Sequence, residues 1–162
     1  MQFVKTLIWF GEDIGMIKQW KRWYSIEQWY ENYKEYQKYD DRVVKVNEIY
    51  DNSFKMEFIK GEILSQVILD NHLDRELKLH ITRQVMDIIN KMFQFKPKIG
   101  QFFWHDDTQL KNFILEPDFK VKLIDPDSFL IINFDDNGSY SEFEIGKMIN
   151  SFHRLKGALI ND

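Results

Sequence analysis

Residues 2–10 and 16–23 are filled with β-forming and aromatic side chains, and the intervening Gly11-Glu12-Asp13-Ile14-Gly15 carries the glycines a turn wants; the pattern predicts a hairpin. Ser25 then stands as a helix N-cap with Gln28 three positions on. Ile26, Trp29, Tyr30 and Tyr33 follow on one stripe, which predicts a helix over 26–39 broken by Asp40-Asp41. Residues 42–50 and 53–59 read as two strands around an Asp51-Asn52 turn. Gly61 ends the second of them, and 62–71 is expected to form a short helix of weak periodicity. From Asp74 to the stop at Pro97 and Gly100, Leu77, Ile81, Val85, Ile88, Met92 and Phe95 repeat at helical spacing over five turns. Two short strands are expected over 112–116 and 119–124, with a two-residue turn at Pro117-Asp118. A last helix over 141–155 has Phe143, Ile145, Met148, Ile149 and Phe152 inward.

At 162 residues the chain has length for one compact α+β domain. Its 22 basic and 26 acidic residues give a net charge of −4, which disfavours nucleic acid as partner. The aromatic and basic run Trp20–Tyr39 is interleaved with Glu27, Glu31 and Glu35, so it reads as core and not as a stacking surface for single strands. With no cysteine there is neither disulfide nor thiolate chemistry, and His72, His80 and His153 lack metal-ligand spacing. Nowhere do eighteen apolar residues run together and the N-terminus has no leader pattern, so the expectation is a cytoplasmic soluble protein without membrane contact.

The chemistry is concentrated in Trp104-His105-Asp106-Asp107-Thr108-Gln109-Leu110-Lys111-Asn112, followed by Leu123-Ile124-Asp125-Pro126-Asp127. Phosphoryl transfer needs a group that orients the acceptor hydroxyl and takes its proton, and oxygen ligands that hold magnesium against the phosphates. Asp107 suits the first task, Asn112 and Asp125 the second. A two-residue turn at Pro117-Asp118 would set Asn112 opposite Leu123, with Asp125 emerging at the same end.

This segment resembles the catalytic loop and metal-binding aspartate of protein kinases and, more closely, of the aminoglycoside phosphotransferase and choline kinase family. Gln109 is similar to the choline kinase form, Asp125-Pro126-Asp127 resembles the small-molecule kinases more than Asp-Phe-Gly, and Ser141–Met148 is similar to a helix start in bacterial sugar or capsule-associated relatives. The resemblance implies a bilobal protein-kinase-like fold in one domain, 1–162. A reduced β-rich N-lobe would span 1–60 and a minimal helical C-lobe 62–162, with a hinge at 57–61 whose Glu57 and Ile59 backbone meets adenine. It further implies ATP and Mg²⁺ as cofactors, Lys18 on the phosphates, Glu31 or Glu27 pairing with Lys18, and Asp107, Gln109 and His105 at the reaction centre, His105 as a scaffold residue holding the loop. The implied activity moves the γ-phosphoryl group to a hydroxyl of a small molecule.

Three departures bear on that activity. Only fifteen residues precede Met16, so the phosphate lid is expected to be absent or reduced to Gly11–Gly15. Asp106 adds a second charge beside Asp107, and Thr108 replaces a customary leucine. The chain also stops soon after the 141–155 helix, where larger relatives carry acceptor-selecting helices. A pseudokinase, binding nucleotide or protein without turnover, is the alternative; a minimal protein kinase is less favoured because no Ala-Pro-Glu follows Asp125. Asp127 reads as a loop-stabilising side chain.

Overall fold

The computed structural model describes residues 8–9, 15–22, 24–69, 73–96 and 101–133, and near the C-terminus 150, 153–155, 157 and 159. The first sheet has four antiparallel strands in the order β1 (Ile8–Trp9), β2 (Met16–Gln19), β4 (Ser53–Met56), β3 (Val46–Ile49). Of the expected hairpin, Ile8–Trp9 pair antiparallel with Met16–Ile17, Trp9 opposite Met16, while 2–7 and 10–14, with most of the Gly11–Gly15 turn, lie outside the described residues. Between β2 and β3 runs α1 (Ile26–Tyr39), over the range its sequence predicts: the Ser25 hydroxyl accepts from the Gln28 amide at 3.2 Å and so satisfies one free N–H of the first turn.

Residues 42–45 do not join β3. They lie beside β8 (Val121–Leu123): the Val44 amide donates to the Leu123 carbonyl and the Leu123 amide to the Arg42 carbonyl, both at 2.9 Å. A parallel bridge between Val43 and Leu123 results. Likewise residues 57–60 lie beyond β4, which stops at Met56.

Glu62–Ile63 is a two-residue strand, β5, and the helix begins only at Leu64, as α2 (Leu64–Leu69). Gly61 is obligatory before it, because a Cβ there would lie 2.3 Å from the Leu115 carbonyl oxygen. The long helix α3 (Arg75–Gln94) buries Ile81, Val85, Ile88, Ile89 and Met92, the face its periodicity marks. Two strands the hydrophobic pattern did not disclose, β6 (Gln101–His105) and β9 (Phe129–Asn133), pair antiparallel with His105 opposite Phe129. The second sheet is β5, β7 (Phe113–Leu115), β8, in that order. Most of the expected 141–155 helix, including Ser141–Met148, lies outside the described residues; Asn150 and His153–Leu155 are helical, and Leu155 is buried.

The β7–β8 hairpin corrects the expected register. Phe119 adopts φ 64°, the Glu116 amide donates to the Lys120 carbonyl, and the loop is three residues long, not two. Phe113 thus faces Leu123, and Asn112 faces Ile124, whose amide donates to the Asn112 carbonyl at 2.8 Å. A slip by one residue exchanges the faces of a strand. The observed register is the one that buries Phe113, Leu115, Val121 and Leu123 together.

One buried cluster runs through both halves of the molecule, from Val46 and Phe54 to Phe113, Leu123, Ile88 and Phe129. Burying a phenylalanine such as Phe54 or Phe129 contributes about 1.5–3 kcal/mol. An aromatic series links the parts: Trp20 meets Trp29 at 4.9 Å between ring centroids, Trp29 stacks on Tyr33 at 5.1 Å, and Tyr33 and Tyr36 reach Phe129 at 5.4 and 5.0 Å. No helix among the described residues is long and apolar enough to cross a membrane.

Candidate functional site

A cavity of about 330 Å³ lies between the first sheet and the β7–β8 hairpin, within the size range of small-molecule sites. Met16, Val44 and Met56 line it from one side and Ile114 and Ile124 from the other; the stretch Glu57-Phe58-Ile59 forms a wall, and Lys18 and Asp125 make its polar end. Gly15, at φ 83°, lets the chain enter β2 against Met56, since a Cβ would stand 2.5 Å from the Met56 carbonyl oxygen.

The candidate wall residues are held firmly. The Glu57 amide donates to the Lys45 carbonyl at 2.9 Å, and the Glu57 carboxylate accepts from the Lys45 amide at 2.9 Å and from Lys122 Nζ at 3.4 Å. Ile59 is buried beside them.

Asp125 sits in the left-handed region, φ 65°, ψ 57°, at the head of a single 3-10 turn over Pro126–Ser128. That conformation is uncommon for a residue with a side chain and is stabilised here on all sides. Lys18 Nζ donates to Asp125 Oδ1, Ser128 Oγ donates to Asp125 Oδ2 at 2.7 Å, and the Ser128 amide donates to the Asp125 carbonyl at 3.0 Å. Lys18 is almost fully buried and also donates to Asp127 Oδ1. Burial pulls the lysine's pKa down, but the Asp127 and Asp125 carboxylates outweigh it and the net shift is upward. Burial pushes the Asp127 carboxyl up, and the neighbouring Asp125 charge adds to this against the pull of Lys18.

His105 carries the loop that presents Asp107. Fully buried, it accepts the Asp107 amide on Nδ1 at 3.2 Å, so its proton resides on Nε2 and is donated to the Ile124 carbonyl at 3.1 Å. Burial lowers its pKa, which keeps the ring neutral as this arrangement requires. One imidazole thereby fixes the distance between the Asp107 loop and the residue before Asp125. Asn112 continues the bracing: its Nδ2 donates to the Asp107 carbonyl at 2.7 Å, which turns Oδ1 away from that contact. The Gln109 amide donates to the same carbonyl at 2.8 Å, so Gln109 belongs to the turn itself. Asp107's carboxylate is partly exposed and meets Lys111 Nζ at 3.1 Å.

His105, Asp107, Gln109 and Asn112 thus form one braced loop tied to Ile124, and Lys18 and Asp125 close the polar end of the cavity, with Glu57 and Ile59 along its wall. Glu31 lies elsewhere. Its carboxylate is in solvent and accepts from Lys34 Nζ at 2.7 Å, while Glu27 accepts from the Ser25 hydroxyl at 2.6 Å. The expected pairing of either with Lys18 is not formed, because the face of α1 turned to the Asp125 loop is occupied by Trp29, whose Nε1 donates to the Pro126 carbonyl at 3.1 Å. Asp127 takes that place. Two further residues were not anticipated in the sequence. Arg22 Nε donates to the Asp127 carbonyl at 2.7 Å and its Nη2 reaches Ser128 Oγ at 3.2 Å and Asp106 Oδ1 at 3.6 Å, and Tyr24 donates to the Phe129 carbonyl at 3.0 Å. The charge of Asp106 is thus answered by Arg22. The only signal for Arg22 in the sequence is its position just beyond a strand that already carries Lys18.

As for a metal, the amide oxygen of Asn112 and the carboxylate of Asp125 are hard oxygen donors of the kind magnesium takes. Among the described residues no group of three or more His, Asp or Glu is set to hold an ion.

No family model matches the chain, and no curated protein matches it. Among solved structures it is similar to the pseudokinase domain of BIR2, an immune regulator of the RLK/Pelle family, with a TM-score of 0.60 at 10% identity, over 88% of this chain and 48% of that one. The chain therefore spans about half the length of the solved structure it matches. At that identity the likeness establishes the fold alone: this is a protein-kinase-like fold.

Proposed function

We propose that the protein is a small bilobal ATP- and magnesium-dependent phosphotransferase that moves the γ-phosphoryl group to a hydroxyl of a small molecule, in the manner of the aminoglycoside phosphotransferase and choline kinase family. The observation that supports this reading is the pairing of Lys18 with Asp125 at the polar end of an apolar cavity, next to Ile124, whose backbone is tied to Asn112 and to the His105 that braces the Asp107 loop. Purine would lie between Met16 and Val44 above and Ile114 and Ile124 below, meeting the Glu57–Ile59 backbone.

In the reaction the acceptor oxygen forms its bond to the γ-phosphorus as the bond from that phosphorus to the bridging oxygen breaks, and ADP leaves. Asp107 orients the acceptor hydroxyl and takes its proton, a contribution of about 10²–10⁴-fold in rate. Lys18 steadies the phosphate charge from within a water-poor pocket. Asn112 and Asp125 would hold magnesium, which would supply neutralisation of phosphate charge when bound. Gln109 keeps the Asp107 loop closed.

A second reading, a pseudokinase that binds nucleotide or protein without turnover, is favoured by one observation: Lys18 is already engaged by two carboxylates, so phosphate must compete for it. Thermal stability with ATP, with and without Mg²⁺, on wild type and Asp125→Ala separates the cases. The expected result is a rise that needs magnesium and disappears in the variant, as linkage requires when an ion bridges carboxylate and phosphates. A rise of equal size without magnesium supports the binding module, and no rise in any condition refutes nucleotide binding.

A further inference from the structure

The loop that bears Asp125 holds a second acid, Asp127, two residues on and buried against Lys18. In protein kinases the strand lysine is positioned by a glutamate on the neighbouring helix, and displacement of that helix is a means of control. Here every acid on α1 is spent elsewhere. Glu27 accepts from Ser25, Glu31 from Lys34, and Glu35 from Lys38 at 3.0 Å. The helix face toward the loop presents Trp29, Asn32, Tyr33 and Tyr36, all buried. Trp29 is fastened to the Pro126 carbonyl, and Tyr33 donates to the Val44 carbonyl at 2.6 Å. No carboxylate of α1 can reach Lys18 without dismantling that aromatic face.

We infer that Asp127 is the positioning residue for Lys18, taking over from the Asp125 loop the task that a helix glutamate performs in protein kinases, and that α1 is a fixed structural element of this fold. This rests on the nucleotide reading above only for its effect on phosphate binding; the ion pair itself does not depend on it. Lysine and counter-ion are joined through the same turn that places Asp125. The turn is itself fixed from outside: Arg22 donates to the Asp127 carbonyl and to Ser128 Oγ, which leaves the Asp127 carboxylate directed at Lys18. Aspartate suits the site better than glutamate would, since the side chain starts within one turn of Asp125 and must stop at the same ammonium.

The test is made on the full chain with Asp127→Asn, Glu31→Gln, Lys18→Met and the double variant Lys18→Met/Asp127→Asn. Reductive methylation followed by peptide mass spectrometry reads the reactivity of Lys18 with no nucleotide present. Lys18 should react slowly in wild type and Glu31→Gln and about tenfold faster in Asp127→Asn, where a charge-assisted bond has been lost. Equal reactivity in wild type and Asp127→Asn, or acceleration by Glu31→Gln, overturns the inference. ATP titration then reads the consequence: Asp127→Asn should change affinity by about tenfold in the wild-type background and not at all beside Lys18→Met, as a pair acting through one contact requires. An equal effect in both backgrounds means that Asp127 does not act through Lys18. If Asp127→Asn does not fold, the same reading is taken on Asp127→Ser: methylation of Lys18 about tenfold faster than in wild type supports the pairing, and wild-type reactivity counts against it. Absence of ATP binding in wild type would overturn the phosphotransferase reading while the methylation result still decides this one.

Discussion

The two aspartates at the ends of the site live in opposite surroundings. Asp125 is held in a left-handed conformation by Lys18, Ser128 and its own turn, with 13% of its side chain exposed; Asp107 shows 29% and meets a lysine that is itself 55% exposed. Its backbone, by contrast, is tied at both ends, the amide to His105 and the carbonyl to Asn112 and Gln109. The difference separates two kinds of placement. On the proposed function, a ligand for a charged ion would be held at the carboxylate, whereas a group that meets a varying acceptor would be held at the backbone, with only an exposed pair at its tip.

That contrast is open to attack. Asp125→Ala should abolish turnover and also lower stability by about 1–3 kcal/mol, because Ser128 and half the coordination of Lys18 lose their partner; urea denaturation beside a coupled ADP assay reads both. Asp107→Asn should lower turnover by about 10²-fold or more while moving the denaturation midpoint by no more than about 0.5 kcal/mol. If the two variants lose stability alike, the distinction between a tip held firmly and one held loosely fails. His105→Leu fills the volume but deprives the Asp107 amide and the Ile124 carbonyl of their shared partner, at a cost of about 2 kcal/mol; an unchanged melt would show that the ring does not brace the loop.

The same histidine has a pH signature. Its folded pKa is depressed below the ordinary value of 6.5, so the unfolded chain binds its proton first. Stability from this group is therefore fully present above about pH 6.5 and declines as pH falls from there toward the folded value. A melting series from pH 8 to 5 should show this slope in wild type and lose it in His105→Leu. The smallest effect belongs to Lys111→Ala: an exposed pair contributes under about 1 kcal/mol, and the melt should scarcely move.

The sequence disclosed the parts of this fold where physics is local. The cap and stripe of α1 and the five-turn repeat of α3 depend on neighbours within one element, and both helices lie where expected. Non-local arrangements stayed hidden. Phe119 occupies a left-handed position that glycine or asparagine would have advertised, and the register of β7 and β8 followed from it. The pairing of β6 with β9 joins five-residue runs more than twenty positions apart, neither with the alternation of a half-exposed strand. The partner of Lys18 was sought on α1 because helices show which residues share a face; nothing in the spacing of Asp125 and Asp127 states that a turn will aim both at one ammonium.

The short parallel contact between Arg42–Val44 and Leu123 has a kinetic meaning. It welds the exit of α1 to the strand that delivers Asp125, so neither can open without the other. The amides of Val44 and Leu123 should then exchange with solvent deuterium at a common rate, set by the rarest opening in the molecule. Such a seam makes the helix and the strand a single cooperative unit, formed early or late in folding but always together.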